Sequence, residues 1–202
     1  MSRVIADITM SLDGFVAAPG ADLEHGLGIG GDGIHGWVLE QPRSAIDQAV
    51  LDRAFDDTGA VVMGRRLFDI VDGPDGWDDN VGYGHDQDQS VAPPCFVVTH
   101  EPPQHWRLGP RFRFVTGGVD AAVEQARAAA GERNVTVMGG ADVINQCFTS
   151  GLVDELRLHV SPLLVGGGAR LFAGVGATTL VQRDVVVSPR ATHFTYDVTT
   201  PR

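Results

Sequence analysis

Two turns in this sequence have the residue types that hold an anion through the backbone. At Met63-Gly64-Arg65-Arg66 an apolar run, Ala60-Val61-Val62-Met63, passes directly into a segment that opens a helix. A helix start leaves backbone N–H groups unpaired and presents the positive end of its dipole, so an anion is favoured there. Two adjacent guanidinium groups add charge-assisted pairing suited to phosphate. At Val137-Met138-Gly139-Gly140-Ala141-Asp142 a second such run ends in a glycine pair. Two missing side chains there let N–H groups come close to a pyrophosphate. Plainer roles fit the same residues: a βα turn with two solvated arginines, and a turn needing positive φ. Two carboxylates stand beside other turns. Asp13 closes Ser11-Leu12-Asp13-Gly14 after the first apolar run, and Asp47 lies in the first turn of a helix, where an acid also serves simply as a capping partner.

Composition removes several chemistries. All fifteen basic residues are arginine. Without lysine there is no P-loop lysine, no Schiff base and no lysine general base, so an anionic cofactor must be held by arginine, hydroxyls or backbone N–H groups. The net charge of −11 opposes nucleic acid and anionic membranes, which call for basic patches. No apolar run reaches the length of a transmembrane helix. The early acid in Met1-Ser2-Arg3-Val4-Ile5-Ala6-Asp7 does not suit a secretory signal, which points to a cytoplasmic protein. Cys95 and Cys147 alone make neither a zinc framework nor a required disulfide. Gly28-Ile29-Gly30-Gly31-Asp32-Gly33 fits the dinucleotide pattern literally, but it follows a loop and opens no helix. The H-x-E and P-C-x-x-C pair of a zinc deaminase is missing, since Pro94-Cys95 runs into Phe96-Val97-Val98. No G-x-S-x-G marks a hydrolase. His100 and His105 flank a Pro-Pro connection and read as loop histidines, not metal ligands.

The glycine turns depend on strands and helices that alternate along most of the chain. Val4–Met10 reads as a strand, residues 18–43 as a long loop with seven glycines and two prolines, and Ser44 with Asp47 as the cap of a helix bearing Ile46, Val50 and Ala54. Strands follow at Ala60–Met63, Cys95–Thr99, Phe112–Thr116 and Val135–Met138. Helices follow the first, third and fourth of these, and residues 72–94 form an acidic loop. After Gly151 the strands Val153–Ser161, Asp184–Ser188 and Ala191–Thr199 succeed one another with no helix between them. This order predicts one domain with an α/β three-layer fold: a mostly parallel central sheet with antiparallel C-terminal strands.

Four segments in this order resemble one family. They are Met10-Ser11-Leu12-Asp13-Gly14-Phe15, Val62-Met63-Gly64-Arg65-Arg66, Val137-Met138-Gly139-Gly140-Ala141, and the block from Gly151 through Asp154-Glu155, His159, Pro162 and Gly166-Gly167-Gly168 to Arg170 and Phe172. Together they resemble the reductase domain of the bacterial bifunctional deaminase-reductases of riboflavin biosynthesis, a branch of the dihydrofolate reductase superfamily. The resemblance implies NADPH lying across the C-terminal edge of the sheet. Gly64, Arg65, Arg66, Met138, Gly139, Gly140, Ala141 and Asp142 would bind it, and Thr99-His100 would sit where the family meets the adenosine 2′-phosphate. It also implies a cis peptide between Gly139 and Gly140.

The activity implied is hydride transfer to a C=N or C=O carbon of a pyrimidine- or pterin-like heterocycle. Asp13 would lie beside the nicotinamide end, and Asp47 near the pterin-binding acid of the folate-reducing branch. The cofactor carries the hard chemistry in such enzymes, and the protein orients it and excludes water. Two alternatives remain open. One is dihydrofolate reduction, although the first loop lacks the expected Pro-Trp and offers only Gly36-Trp37. The other is a binding protein of the same fold without turnover. The family also commonly forms homodimers, and Leu156, Leu158, Val160, Val185 and Val187 supply apolar C-terminal faces for one.

Overall fold

The computed structural model describes residues 2–199. Ten strands and five helices follow in the order β1 (Val4–Ser11), β2 (Phe15–Ala17), α1 (Gly36–Leu39), α2 (Ala45–Asp57), β3 (Thr58–Gly64), α3 (Arg65–Val71), β4 (Cys95–Val98), β5 (Phe112–Val115), α4 (Gly118–Ala130), β6 (Asn134–Gly139), α5 (Ala141–Thr149), β7 (Glu155–Ser161), β8 (Ala169–Arg170), β9 (Thr179–Val187) and β10 (Thr192–Thr199). Eight strands form one sheet in the order β5-β4-β3-β6-β1-β7-β10-β9. Pairing is parallel from β5 through β7, and β10 runs antiparallel to both β7 and β9. Strands β2 and β8 make a separate small pair.

Local chemistry explains the elements that frame the site. Every residue of β3 is buried, as a parallel strand covered on both faces requires. Helix α2 begins where the Ser44 hydroxyl accepts the Asp47 N–H at 3.0 Å, which satisfies one of the orphan donors of a helix start. Helix α4 buries Val119, Ala122, Val123, Ala126 and Ala130 along one stripe.

The two faces of β1 divide the molecule. Val4, Ala6 and Ile8 join the core under α4 and α5, together with Val62, Phe96, Val137 and Ile144. Asp7, Thr9 and Ser11 alternate with them and face the opposite layer. On that side Met63, Phe68 and Phe112 form a second cluster, and Trp37 with Leu51 a third. No helix among the described residues is long and apolar enough to cross a membrane.

Two local expectations are revised, and one loop gains detail. The long first loop contains a 3-10 turn, Asp32–His35, and the single helical turn of α1. Strand β9 starts at Thr179 rather than Asp184, because all but one of its residues are exposed and no apolar alternation marks its first half. The acidic loop is well anchored: Arg107 donates to the carbonyls of Val71, Asp72, Gly73 and Trp77.

Candidate active site

Adjacent strands β3 and β6 end side by side, with Met63 opposite Gly139. Gly139 has φ of +128° and is joined to Gly140 by a cis peptide, as the resemblance implies. Helix α5 then starts with Gly140 as its cap and no side chain on its first N–H groups. A Cβ at Gly64 would come within 3.0 Å of Val143 Cγ2, and one at Gly139 within 3.3 Å of Ile8 Cδ1. A Cβ at Gly140 would meet nothing within 4 Å. The space above Gly140 is therefore open to a ligand, and the flanking glycines let the two strand ends close up beneath it.

The second corner lies at the end of β4. Thr99 is buried, and its hydroxyl donates to the Glu101 carbonyl at 2.8 Å. Arg65 donates to the same carbonyl at 2.7 Å and pairs with Asp69 at 2.6 Å. Arg65 and Thr99 thus meet at one backbone oxygen, while Arg66 and His100 stand exposed beside them. Met138 packs against the cluster around Met63 and Phe68. Asp142 is exposed in the first turn of α5 and accepts from Gln146.

The two carboxylates differ from one another. Asp13 accepts from the Ser11 hydroxyl at 2.6 Å and from the N–H groups of Gly166 and Val165 at 2.8 and 3.2 Å. These bonds, the Ser11 hydroxyl first, hold it below the usual carboxylate range. Asp13 therefore ties the turn after β1 to the segment after β7. Asp47 is fully buried. Burial pushes its carboxyl up, but hydrogen bonds from Ser44, Ser188 and His193 outweigh that and leave it below its ordinary value. Ser44 Oγ lies 2.6 Å from one oxygen and His193 Nε2 lies 3.0 Å from the other. Asp47 therefore meets Ser44 and His193 and exposes no carboxylate edge.

That contact opens onto a cluster absent from the sequence reading. His159 and His193 face each other in the β7–β10 register. Their Nδ1 atoms are 2.8 Å apart, and His159 Nε2 is 3.0 Å from Asp7. Trp37 lies against both rings, with centroids 4.5 and 4.9 Å away, and donates to Thr9 at 3.0 Å. A signal for this was present: Asp7, Thr9 and Ser11, and Arg157, His159 and Ser161, recur at period 2 and so share one sheet face. Among the described residues, no three His, Cys, Asp or Glu side chains group to hold a metal ion.

Comparison with known proteins agrees with this architecture. A provisionally named riboflavin biosynthesis protein of Shewanella sp. PV-4 superposes with a TM-score of 0.68 at 23% identity, covering 99% of this chain and 100% of that one. The diaminohydroxyphosphoribosylaminopyrimidine deaminase/5-amino-6-(5-phosphoribosylamino)uracil reductase of Thermotoga maritima gives 0.60 at 16% identity, over 98% of this chain and 57% of that one. Bacillus subtilis YyaP is 22% identical over 179 residues, 86% of this chain and 81% of that protein. The model of the RibD C-terminal domain matches residues 2–194, and the chain belongs to that family.

Proposed function

We propose that this protein is a cytoplasmic, NADPH-dependent reductase that delivers hydride to a C=N or C=O carbon of a pyrimidine- or pterin-like heterocycle. The observation that carries the reading is the open space over Gly140, at the uncapped start of α5, beside the Arg65–Thr99 corner. The residues present fit the cofactor. The N–H groups of Ala141 and Asp142 would meet the pyrophosphate, and Arg65, Arg66, Thr99 and His100 the 2′-phosphate. When bound, the reduced nicotinamide supplies the hydride. Asp13, held ionised, fixes the Val165–Gly166 segment against the end of β1 and so shapes the nicotinamide end of the site. The Thermotoga protein carries a uracil reductase in its name, and a heterocycle of that class is the first substrate to test. Folate reduction is the weaker candidate, because Asp47 is enclosed by Ser44 and His193 and offers no carboxylate edge to a pterin.

The test combines direct binding with turnover. NADPH should bind in a titration and then be oxidised in the presence of a ribosylaminopyrimidine but not of dihydrofolate. Binding without oxidation across pyrimidine and pterin panels would favour the non-catalytic alternative, and absence of binding would refute the reading.

A further inference from the structure

We propose that Asp7, His159, His193 and Asp47 form a buried proton-binding site, in which three hydrogen bonds in series hold three protons. The first link joins Asp7 to His159 at 3.0 Å, the central one His159 to His193 at 2.8 Å, and the last His193 to Asp47 at 3.0 Å. Each link needs one hydrogen between its heavy atoms. Two neutral imidazoles supply only two. If each ring points its hydrogen at its carboxylate, both Nδ1 atoms are bare and oppose each other as acceptors. If one ring turns its hydrogen inward, the other end of that ring faces a carboxylate as two acceptors. A third proton satisfies all three links and gives the four side chains a net charge of −1.

The surroundings favour keeping that proton. Both rings are about 5% exposed or less, so an unsatisfied link between the two Nδ1 atoms is shielded from bulk water, while Asp7, with 17% of its side chain exposed, borders a cavity. Burial pushes the Asp7 carboxyl up, but His159 first and then Arg157 outweigh that and hold it below its ordinary value, which keeps the Asp7 end anionic. Ser44 and Ser188 do the same for Asp47. Burial and then His159 hold His193 below its ordinary value, as one ring of a pair sharing a single charge should be. Other groups nearby do not contribute the proton. His35 is held neutral, pushed down to about 4 by burial and His159. Burial keeps the Tyr83 hydroxyl protonated. On the cavity side stand Arg53 of α2, which pairs with Asp57, and Asp184 of β9.

The site fastens α2 and α1, through Asp47 and Trp37, to the C-terminal strands. Its occupancy therefore makes that docking depend on pH. Above about pH 7 the unfolded rings are neutral while the folded chain keeps one extra proton, so stability falls as pH rises, by up to tenfold in the folding constant per unit. Below about pH 6 the unfolded state takes two ring protons and the folded site only one, so stability falls again.

The experiment follows stability by denaturant unfolding between pH 7 and 8.5 in the wild type and in Asp47→Asn. An amide at position 47 donates to His193 Nε2 and accepts from Ser44, so two neutral rings then satisfy every link. The wild type should lose several-fold in folding constant across this window, and the variant should lose distinctly less. Equal slopes, or a flat wild type, would overturn the proposal. Because Asp47 also caps α2, Asp7→Asn tests the same count from the other end. Imidazole 15N and 1H resonances of the wild type provide a readout independent of folding: one strongly downfield proton shared by the two rings supports the site. Two rings titrating independently near their ordinary value would refute it.

Discussion

Replacing Gly140 with alanine adds one methyl group at a point where no atom of the chain lies within 4 Å. The backbone there has φ of −70° and ψ of −171°, which any L-residue adopts. Folding should therefore tolerate the change. A Gly→Ala exchange at a compatible position shifts stability by about 0.4–1 kcal/mol, in the favourable direction, through the unfolded chain. Binding is different, because the methyl occupies the approach of the pyrophosphate to the N–H groups of Ala141 and Asp142. Losing two hydrogen bonds to a charged group, at about 1.5–3 kcal/mol each, amounts to about 3–6 kcal/mol. That corresponds to about 10²- to 10⁴-fold weaker NADPH binding. Calorimetric titration measures the affinity, and a thermal melt of the same sample confirms the fold. Gly139→Ala is the contrast: its φ of +128° and the Ile8 contact at 3.3 Å make it destabilising in the melt itself. A Gly140→Ala protein that melts normally and binds NADPH with wild-type affinity would refute the placement of the pyrophosphate.

Further outcomes follow from other parts of the structure. Replacing Arg65 and Arg66 together with alanine should weaken NADPH by about 1–3 kcal/mol and NADH much less, and equal losses in a titration would remove the 2′-phosphate assignment. Light scattering at micromolar concentration should show a homodimer. Leu156 and Leu158 are covered by the chain's own core, so the apolar surface left for such an association is Leu180, Val181, Val185 and Val187 of β9. Val185→Lys with Val187→Lys should give a monomer, and a wild-type monomer would end the proposal. Burial pushes the thiols of Cys95 and Cys147 up to about 12. Protons retained by the folded state above the ordinary thiol range mean that stability present below about pH 9 declines as pH rises toward 12. Substituting both cysteines with alanine should flatten that decline in denaturant unfolding.

The parts of the fold that could be read in advance are those encoded by neighbours in the chain. Gly64-Arg65 and Gly139-Gly140 announce strand-to-helix turns because the glycines and the flanking apolar runs are contiguous. Ser44 and Asp47 announce a helix start for the same reason. The histidine pair could not be read that way. His159 and His193 are 34 residues apart, and only the antiparallel register of β7 and β10 makes them opposite. Their partners arrive from β1 and α2, so the cluster depends on four separate elements at once. Strands β2 and β8, of three and two residues, are too short to show a period. In β9, solvent on both faces removes the alternation that marks a half-buried strand. Trp37 stood in the sequence only as the Gly36-Trp37 step, and its role depends on tilted and edge-on contacts with rings more than a hundred residues away.

Strand β1 acts as a partition wall between two kinds of selection. Its even positions, Val4, Ala6 and Ile8, answer to the volume of the α4–α5 core, where a change of one methylene is felt. Its odd positions from Asp7 onward answer only to the polar layer beneath α1 and α2. Changes at positions 7 and 9, and at 159 and 193, therefore act on the docking of α1 and α2 and not on the packing that keeps the glycine turns in place. A library confined to those four positions should return proteins that keep the sheet and its glycine turns, with α1 and α2 less firmly docked. The same number of changes at positions 4, 6, 62 and 137 should return few. A scaffold with that separation can alter its polar layer while its glycine turns stay constant.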